Sequence, residues 1–522
     1  MLEIIPLLFI TIPLIGILIS IITRKYSLTS ILASMVNLGI CIYLYPLMIN
    51  GKVIETKYVF SIFPQGLLFK IDLTSYIFVT IVSVIWLLAS VFSKSYIQRN
   101  YKLPRYYIFL LMTLSSLLGV FITGDFVSLF LFFELLTLTS YVLVVHVGDK
   151  KTRIAGYFYL LMGVMGGLFL LGGIVLLYNL TGSVLIEPAF QDINSHSNLK
   201  YLIAMLMIVG FGVKAGMFPV HIWLPRAHPV APSPASALLS GLIIKAGAYG
   251  IYKVVTVLFK ASGNMILENI GFGIIILGSI TMFLGMLKAL FEWNVKRMLA
   301  YSSMSQMGYI LLGIGLGGYL GDHGAIGTIG SLYHILNHSI FKSSAFLIIG
   351  AIYYKTHEVD LRKLKGIGRS YPLLTLAFSI TLFGISGFPL FNGYGSKLLL
   401  HHGLLEAVHS GNIYLALIEK IFIITSAGTF CYFLKIFYFL FLKPGKNREE
   451  SPLPVLMKYV LAIFPVMIII TGIFPNTIVN EVLINVFDGS NIHTQNLAHI
   501  TYFKWINMTD TFIYLALGAI FF

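Results

Sequence analysis

Seven ionisable side chains stand inside long apolar runs. Glu134 lies mid-run in LFLFFELLTLTSY, Lys214 in IVGFGVKAGMFP, Lys245 in LLSGLIIKAGAYG and Lys397 in GFPLFNGYGSKLLL. His334, His338 and Lys342 share the run LYHILNHSIFKSS. A charge in hydrocarbon costs roughly 3 kcal/mol or more, so each such residue reads first as a functional group. The steps from His334 to His338 to Lys342 are of four residues, and each turns about 400° along a helix. All three therefore share one face about 12 Å long. Histidine titrates near neutral pH and both donates and accepts, so that face suits proton hopping.

Lysine and glutamate add a switch. At about 4 Å and an effective dielectric near 20, an ammonium and a carboxylate attract by about 4 kcal/mol. A Glu134 that approaches or leaves Lys214 therefore decides whether the lysine keeps its proton. A satisfied structural ion pair is the alternative reading for Glu134 with Lys214, and a packing role is the alternative for His334. Four separated lysines with few acids argue against pure pairing. Lys288 and Lys435 lie nearer helix ends, where a long side chain can snorkel, and structural roles lead there.

Two of the charged runs are interrupted. The first carries Gly210, Gly212, Gly216 and Pro219 around Lys214; the second carries Gly387, Pro389, Asn392 and Gly393 ahead of Lys397. Proline removes a backbone donor, and freed carbonyls in a membrane need polar partners. Gly/Pro-interrupted segments in two halves point to an ion path in a transporter, with a simple proline kink as the alternative. Gly212, Gly216, Pro219, Gly387, Pro389 and Gly393 are the candidate break residues.

The elements that must position these groups follow from composition. The 522 residues are 58% hydrophobic and 11% charged. Soluble domains carry roughly 25% charged residues, so a soluble globular protein is excluded. Apolar runs of about 20 residues, enough to span a bilayer, follow one another with short polar loops. They predict about 14 spanning helices, near 2–22, 28–49, 73–93, 106–122, 125–146, 156–180, 200–219, 236–259, 270–291, 299–317, 326–354, 372–402, 414–442 and 454–478. A closing segment, 510–522, is apolar but short for a span, and 479–509 reads as a loop or interfacial stretch. Residue 2 onward reads as the first spanning helix and not as a signal peptide.

The net charge of +15 sits in the loops. About twenty basic residues fall in odd connections, among them Arg24, Lys25, Lys94, Arg99, Lys102, Arg105, Lys446 and Arg448, against about five in even ones. The positive-inside rule places the odd loops in the cytoplasm and the N-terminus outside. The charge is thus a topology signal, and nucleic acid is not an expected partner. Cys41 and Cys431 are far apart, with no C-x-x-C pair, so a protein-ligated iron–sulfur or zinc site is not expected. Acids in even loops, such as Asp72, Glu187 and Asp192, form no cation cage. The Lys/His route suits protons better than sodium.

These runs, in this order, resemble the antiporter-like proton-translocating subunits shared by respiratory complex I, Mrp-type cation/proton antiporters and group 4 membrane-bound hydrogenases. TGDFVSLFLFFELLTLTSYVLV resembles the glutamate helix, which maps the family acid onto Glu134. VKAGMFPVHIWLPRAHPVAPSPASALLSGLIIKAGAYGIYKV maps the pumping lysine onto Lys214 and the relay lysine onto Lys245. LYHILNHSIFKSSAFLIIGAIYY resembles the histidine helix, and SGFPLFNGYGSKLLL the second broken helix with Lys397. The resemblance runs from about Thr123 to Lys397.

It implies an all-α, polytopic fold of about 14 transmembrane helices with two inverted five-helix repeats, each containing a broken helix. The expected divisions are 1–105, 106–259 (first repeat), 270–442 (second repeat) and 443–522. It also implies further antiporter-like subunits as partners, and a redox arm with iron–sulfur proteins, this chain itself holding no cofactor. The segments AHPVAPSPASALLSGLIIKAGAYG and PLFNGYGSK look closest to the hydrogenase-type branch. The leading expectation is a proton-translocating subunit of a redox-driven pump in a prokaryotic cell membrane. A subunit of a redox-independent Mrp-type Na+/H+ antiporter is the alternative. An enzyme with its own quinone or metal site lacks any cofactor motif.

Overall fold

In the computed structural model, the described residues are 2–59, 66–97, 102–190, 197–445, 452–487, 494, 497 and 500–522. Arg99, Asp192, Lys446 and Arg448 lie outside the described residues, as does part of the 479–509 stretch.

The chain forms two compact units, residues 1–215 with 230–267, and residues 216–229 with 268–522. The first contains α1 (Ile5–Thr23), α2 (Tyr26–Ile49), a hairpin of β1 (Ile54–Val59) and β2 (Leu67–Ile71), α3 (Leu73–Tyr96), α4 (Leu103–Phe121), α5 (Phe126–Val144), α6 (Lys150–Thr181) and α7 (Ser197–Ala215). The second begins with the short α8 (Leu224–Val230). The next helix, α9 (Ser233–Leu258), returns to the first unit. The second unit then holds α10 (Asn264–Phe291), α11 (Val295–Tyr319), α12 (Ala325–Thr356), α13 (Pro372–Ser386), α14 (Asn392–Val408), α15 (Ile413–Leu442), α16 (Val455–Ile473) and α17 (Trp505–Phe521).

Twelve of these helices are long and apolar enough to cross a membrane. Helix α11 is as long but more polar, with Ser302, Ser303, Ser305 and Gln306 along it. Helix starts follow from local chemistry. Asp72, Asp125 and Asp149 each accept the backbone N–H of the residue three positions on, at 2.7 Å, and so cap α3, α5 and α6.

Two features differ from the expectation. Ile54–Val59 and Leu67–Ile71 pair as antiparallel strands, Ile54 opposite Ile71, rather than lying in a plain loop. Backbone bonds from Gly124 to Leu68 and from Lys70 to Ile122 tie β2 to the α4–α5 turn. The closing segment forms a 17-residue helix from Trp505, five residues earlier than expected, and packs on α15. Tyr514, Leu515 and Ala427 form the apolar contact that holds it there.

Small residues set the close helix approaches in the first unit. Gly156, Gly163, Gly166, Gly167 and Gly173 run down one side of α6. A Cβ at Gly163 would strike Thr137 of α5, and one at Gly166 would strike Val213 of α7. The opposite side of α6 shows Tyr157, Leu161, Leu168, Val175 and Tyr178 to the surroundings, an apolar face suited to lipid.

Candidate functional site

The first cluster is built on α5, α6 and α7. Gly210 of α7 lets that helix approach Gly166 and Leu170 of α6, and Lys214 follows one turn later. The Lys214 ammonium donates to Thr137 Oγ1 at 2.6 Å and lies 5.4 Å and 5.3 Å from the Phe133 and Tyr159 ring centres. Tyr159 is in turn 2.5 Å from Ser140 Oγ. Thr137 is three residues from Glu134, so the ammonium rests one turn along α5 from the carboxylate.

No ion pair within 4.0 Å joins Glu134 to Lys214 among the described residues. Glu134 Oε1 is buried and has no hydrogen-bond partner. The carboxylate lies over Gly167, where any Cβ would collide with it. The structural ion pair weighed from sequence is therefore not the arrangement found. The lysine is held by a hydroxyl and two rings, within electrostatic reach of an acid that makes no hydrogen bond through Oε1.

Lys245 stands on α9 just after a π-helical stretch, Leu239–Ile243. The Lys245 ammonium donates to Ser240 O, within that stretch, at 2.7 Å. Tyr249 and Lys253 follow on the same face at steps of four. The Tyr249 hydroxyl donates to Phe121 O at 2.9 Å and is 3.1 Å from Ser75 Oγ. Lys253 pairs with Asp72 Oδ2 at 2.7 Å. Burial pushes the Asp72 carboxyl up, but the Lys253 charge and the bonds from Lys253 and Ser75 outweigh it and hold the group below its usual range. Sequence reasoning passed over this pair because both residues sit at helix ends.

The first break begins at Gly216, whose φ of +70° suits glycine alone. The peptide before Pro219 is cis, and Phe218 N–H donates to Thr281 Oγ1 at 3.0 Å. Gly212 remains helical within α7, because its N–H and C=O stay in the helical ladder.

In the second unit, Gly387 ends α13 at φ +81°, with Gly387 and Phe388 N–H closing on Gly384 O and Phe383 O. That double closure is a Schellman end. Pro389 lies in the turn and Gly393 in the first turn of α14, where its lack of a Cβ admits Gly384 O. Asn337 and Asn392 bond reciprocally to each other's carbonyl, at 2.6 and 3.4 Å, and clamp α12 to the break.

The candidate groups of this unit gather around that clamp. His334 Nδ1 is 2.9 Å from Ser396 Oγ, and Nε2 is 3.0 Å from Gln306 Oε1. The His334 and His338 rings lie parallel, 6.3 Å apart, so the shared face read from their spacing is present. Lys342 donates to Leu299 O at 3.0 Å. Lys397 donates to Ser386 O at 3.3 Å, the terminal carbonyl of the broken half-helix, and lies over the Tyr309 ring. A half-helix C-terminus carries partial negative charge, which suits an ammonium there. Gln306, Ser396, Tyr309 and Asn337 were not singled out from sequence, since neutral polar residues in such helices carry no signal of their own. Lys435 donates to Leu290 O and Glu292 O and lies 3.8 Å from the Trp293 ring centre, a structural cap on α10.

Residues 123–426 match the family profile described as NADH:quinone oxidoreductase/Mrp antiporter, TM. The chain is 28% identical over 506 residues to a putative antiporter subunit mnhA2 of Staphylococcus haemolyticus, covering 92% of this chain and 62% of that one. It is 29% identical over 409 residues to a Na(+)/H(+) antiporter subunit of Alkalihalophilus pseudofirmus, covering 77% and 79%. The chain thus spans 62% of the length of the mnhA2 relative. Among solved structures, a chain of the Mrp complex from Dietzia sp. DQ12-45-1b has a TM-score of 0.82 at 22% identity, over 94% of this chain and 98% of that one. A chain of an archaeal membrane-bound sulfane sulfur reductase has 0.80 at 23%, over 98% and 99%. A chain of respiratory complex I from Thermus thermophilus has 0.78 at 20%, over 93% and 98%. These likenesses establish the fold. All seven candidate proton-carrying residues fall inside the matched 123–426.

Proposed function

Because the chain belongs to the NADH:quinone oxidoreductase/Mrp antiporter transmembrane family, we propose that it is a proton-translocating subunit of a multisubunit membrane assembly. Protons are carried by Glu134, Lys214 and Lys245 in one unit and by His334, His338, Lys342 and Lys397 in the other. The observation that carries this reading is the Lys214 ammonium parked on Thr137, one turn from a carboxylate it does not pair with. Movement of Lys214 toward Glu134 stabilises the protonated amine, and return to Thr137 withdraws that stabilisation. Such a two-position lysine can take up and release a proton on demand.

The relatives' names favour assembly into a Mrp-type Na+/H+ antiporter. The redox-driven pump is the second reading, supported by the fold shared with the sulfane sulfur reductase and complex I chains. In either case this chain itself supplies no redox cofactor, and its partners are other membrane subunits. In the redox reading these include an iron–sulfur arm. It sits in a prokaryotic cell membrane with its N-terminus outside.

The test uses membrane vesicles that hold the intact assembly. Lys214→Ala is expected to cut proton movement below a tenth of wild type at equal chain abundance. Wild-type transport in that variant overturns the reading. A ΔpH response to an added Na+ pulse selects the antiporter assembly; a response to an electron donor alone selects the redox-driven one.

A further inference from the structure

Lys397 is the last proton carrier named above, yet its helix face continues. His401 stands four residues further on α14, about 6 Å along the axis on the same side. Its Nε2 is 3.2 Å from Glu419 Oε1 of α15, and its Nδ1 is 4.0 Å from Asp510 Oδ2 of α17. The Phe422 ring stacks on the imidazole at 5.4 Å. Exposure rises in steps along this row. Lys397 is 1% exposed, the His401 and Glu419 side chains are each 11% exposed, and the Asp510 side chain is 56% exposed. One imidazole thus has a carboxylate near each ring nitrogen, with a buried amine on one side and an exposed acid on the other. An imidazole in that position can accept a proton at one nitrogen and release the other.

The charges around the pair favour a proton over a metal cation. The second oxygen of Glu419 already takes the Lys420 ammonium at 2.8 Å, and that lysine side chain is 70% exposed. His402 lies within electrostatic reach of His401 and Asp510 and bonds to Asn507. Tyr394 and Tyr514 face Asp510 from α14 and α17. With Lys420 on Glu419 and Lys397 one turn away, a further metal ion would meet two ammonium groups.

We propose that His401 and Glu419 form a proton-carrying station between Lys397 and the surface at Asp510, and that α17 completes it by placing Asp510 beside the imidazole. This rests on the proton-translocation reading. Asp510 and α17 lie outside the matched 123–426. They give the closing segment, to which sequence assigned no role, a part in the path. Asp510 acts as a positioning residue on the outer side of the ring, 4.0 Å from Nδ1.

The experiment measures proton movement against pH in vesicles holding the full assembly, with chain abundance checked by immunoblot. His401→Gln and Glu419→Gln are each expected to lower the rate about tenfold, and Glu419→Asp to recover it to within about threefold of wild type. Asp510→Asn is expected to keep the rate within about threefold. Its pH–rate profile should differ from that of wild type, because the exposed acid at the outer end of the row is gone. Wild-type rates and an unchanged pH profile in His401→Gln and Glu419→Gln overturn the proposal. A loss in Glu419→Asp as deep as in Glu419→Gln also overturns it. If one variant accumulates poorly, the other and Asp510→Asn decide. Lys214→Ala is run beside them. Activity there sinks the transport reading itself, whereas a dead Lys214→Ala with active His401→Gln and Glu419→Gln sinks only the station.

Discussion

The Lys214 cluster of the first unit and the buried lysines of the second are held in different ways. In the first, Lys214 rests on a threonine hydroxyl between two aromatic rings, one turn from Glu134. In the second, Lys342 and Lys397 each rest on a backbone carbonyl, of Leu299 and Ser386. The electrostatic consequence is distinct. A side-chain acid can move toward or away from an amine, so its influence can be switched. A backbone carbonyl within a helix or at its end is fixed, so its influence is constant. On the proposed reading, the Lys214 cluster is the part that switches, and the carbonyl-held lysines, Lys245 of the first unit among them, are the part that conducts.

Substitutions can break that distinction. Glu134→Gln removes the acid of the Lys214 cluster while preserving shape, and is expected to lower proton movement about tenfold or more in vesicles. Near-normal transport would mean that Lys214 is no more switched than Lys397. Gly167→Ala is gentler: the new methyl displaces the Glu134 carboxylate without changing any charge. It is expected to cut transport severalfold. Because overpacking also costs about 1–3 kcal/mol of stability, thermal unfolding of the detergent-extracted chain is measured alongside. A Gly167→Ala chain with unaltered rate would show that the position of the acid does not matter.

Two further outcomes concern stability in the first unit. Asp72→Asn leaves Lys253 without its ion-pair partner and is expected to cost about 2 kcal/mol, seen as a lowered unfolding midpoint. The folded Asp72 carboxyl lies below its usual range, so its contribution is full above about pH 4 and is lost as pH falls through the folded value. Wild type should therefore converge on the variant in strong acid. His146, in the α5–α6 connection, is pushed down to about 4 by burial, with Arg105 and Lys102 adding to it. Its neutral form is favoured on folding, so its contribution is full above about pH 6.5 and declines as pH falls toward 4. His146→Gln should flatten the loss of thermal stability between pH 7 and 4.5, the smallest of these effects. An identical decline in both chains would contradict the burial argument.

The chemistry-bearing residues were legible because charge is rare in apolar runs. Glu134, Lys214, His334 and Lys397 stand out by type alone, and Gly387 with Pro389 marks a break wherever it occurs. What the spacing of His334, His338 and Lys342 implied about a shared face holds for the stacked imidazoles. The partners were not legible. Thr137, Gln306 and Ser396 belong to residue types spread throughout such helices, and only packing of α5 on α7, or of α11 and α14 on α12, selects them. His401 carried the same four-residue signal relative to Lys397, but Glu419 meets it from the next helix and Asp510 from the closing one, and neither pairing shows in the spacing. Nor does alternation in ETKYV and LLFKI rise above the surrounding hydrophobicity enough to mark β1 and β2. The glycine row of α6 was visible as composition, yet which helix each glycine admits depends on the fold.

The central claim is that Lys214 works by giving up its proton, and Lys214→Arg tests it most directly. Arginine keeps the positive charge and can still donate to Thr137, but it does not deprotonate in proteins. Proton movement in vesicles at matched chain abundance should fall below a tenth of wild type in Lys214→Arg. Transport at the wild-type rate in that variant would show that Lys214 supplies only a fixed charge, and would contradict the account.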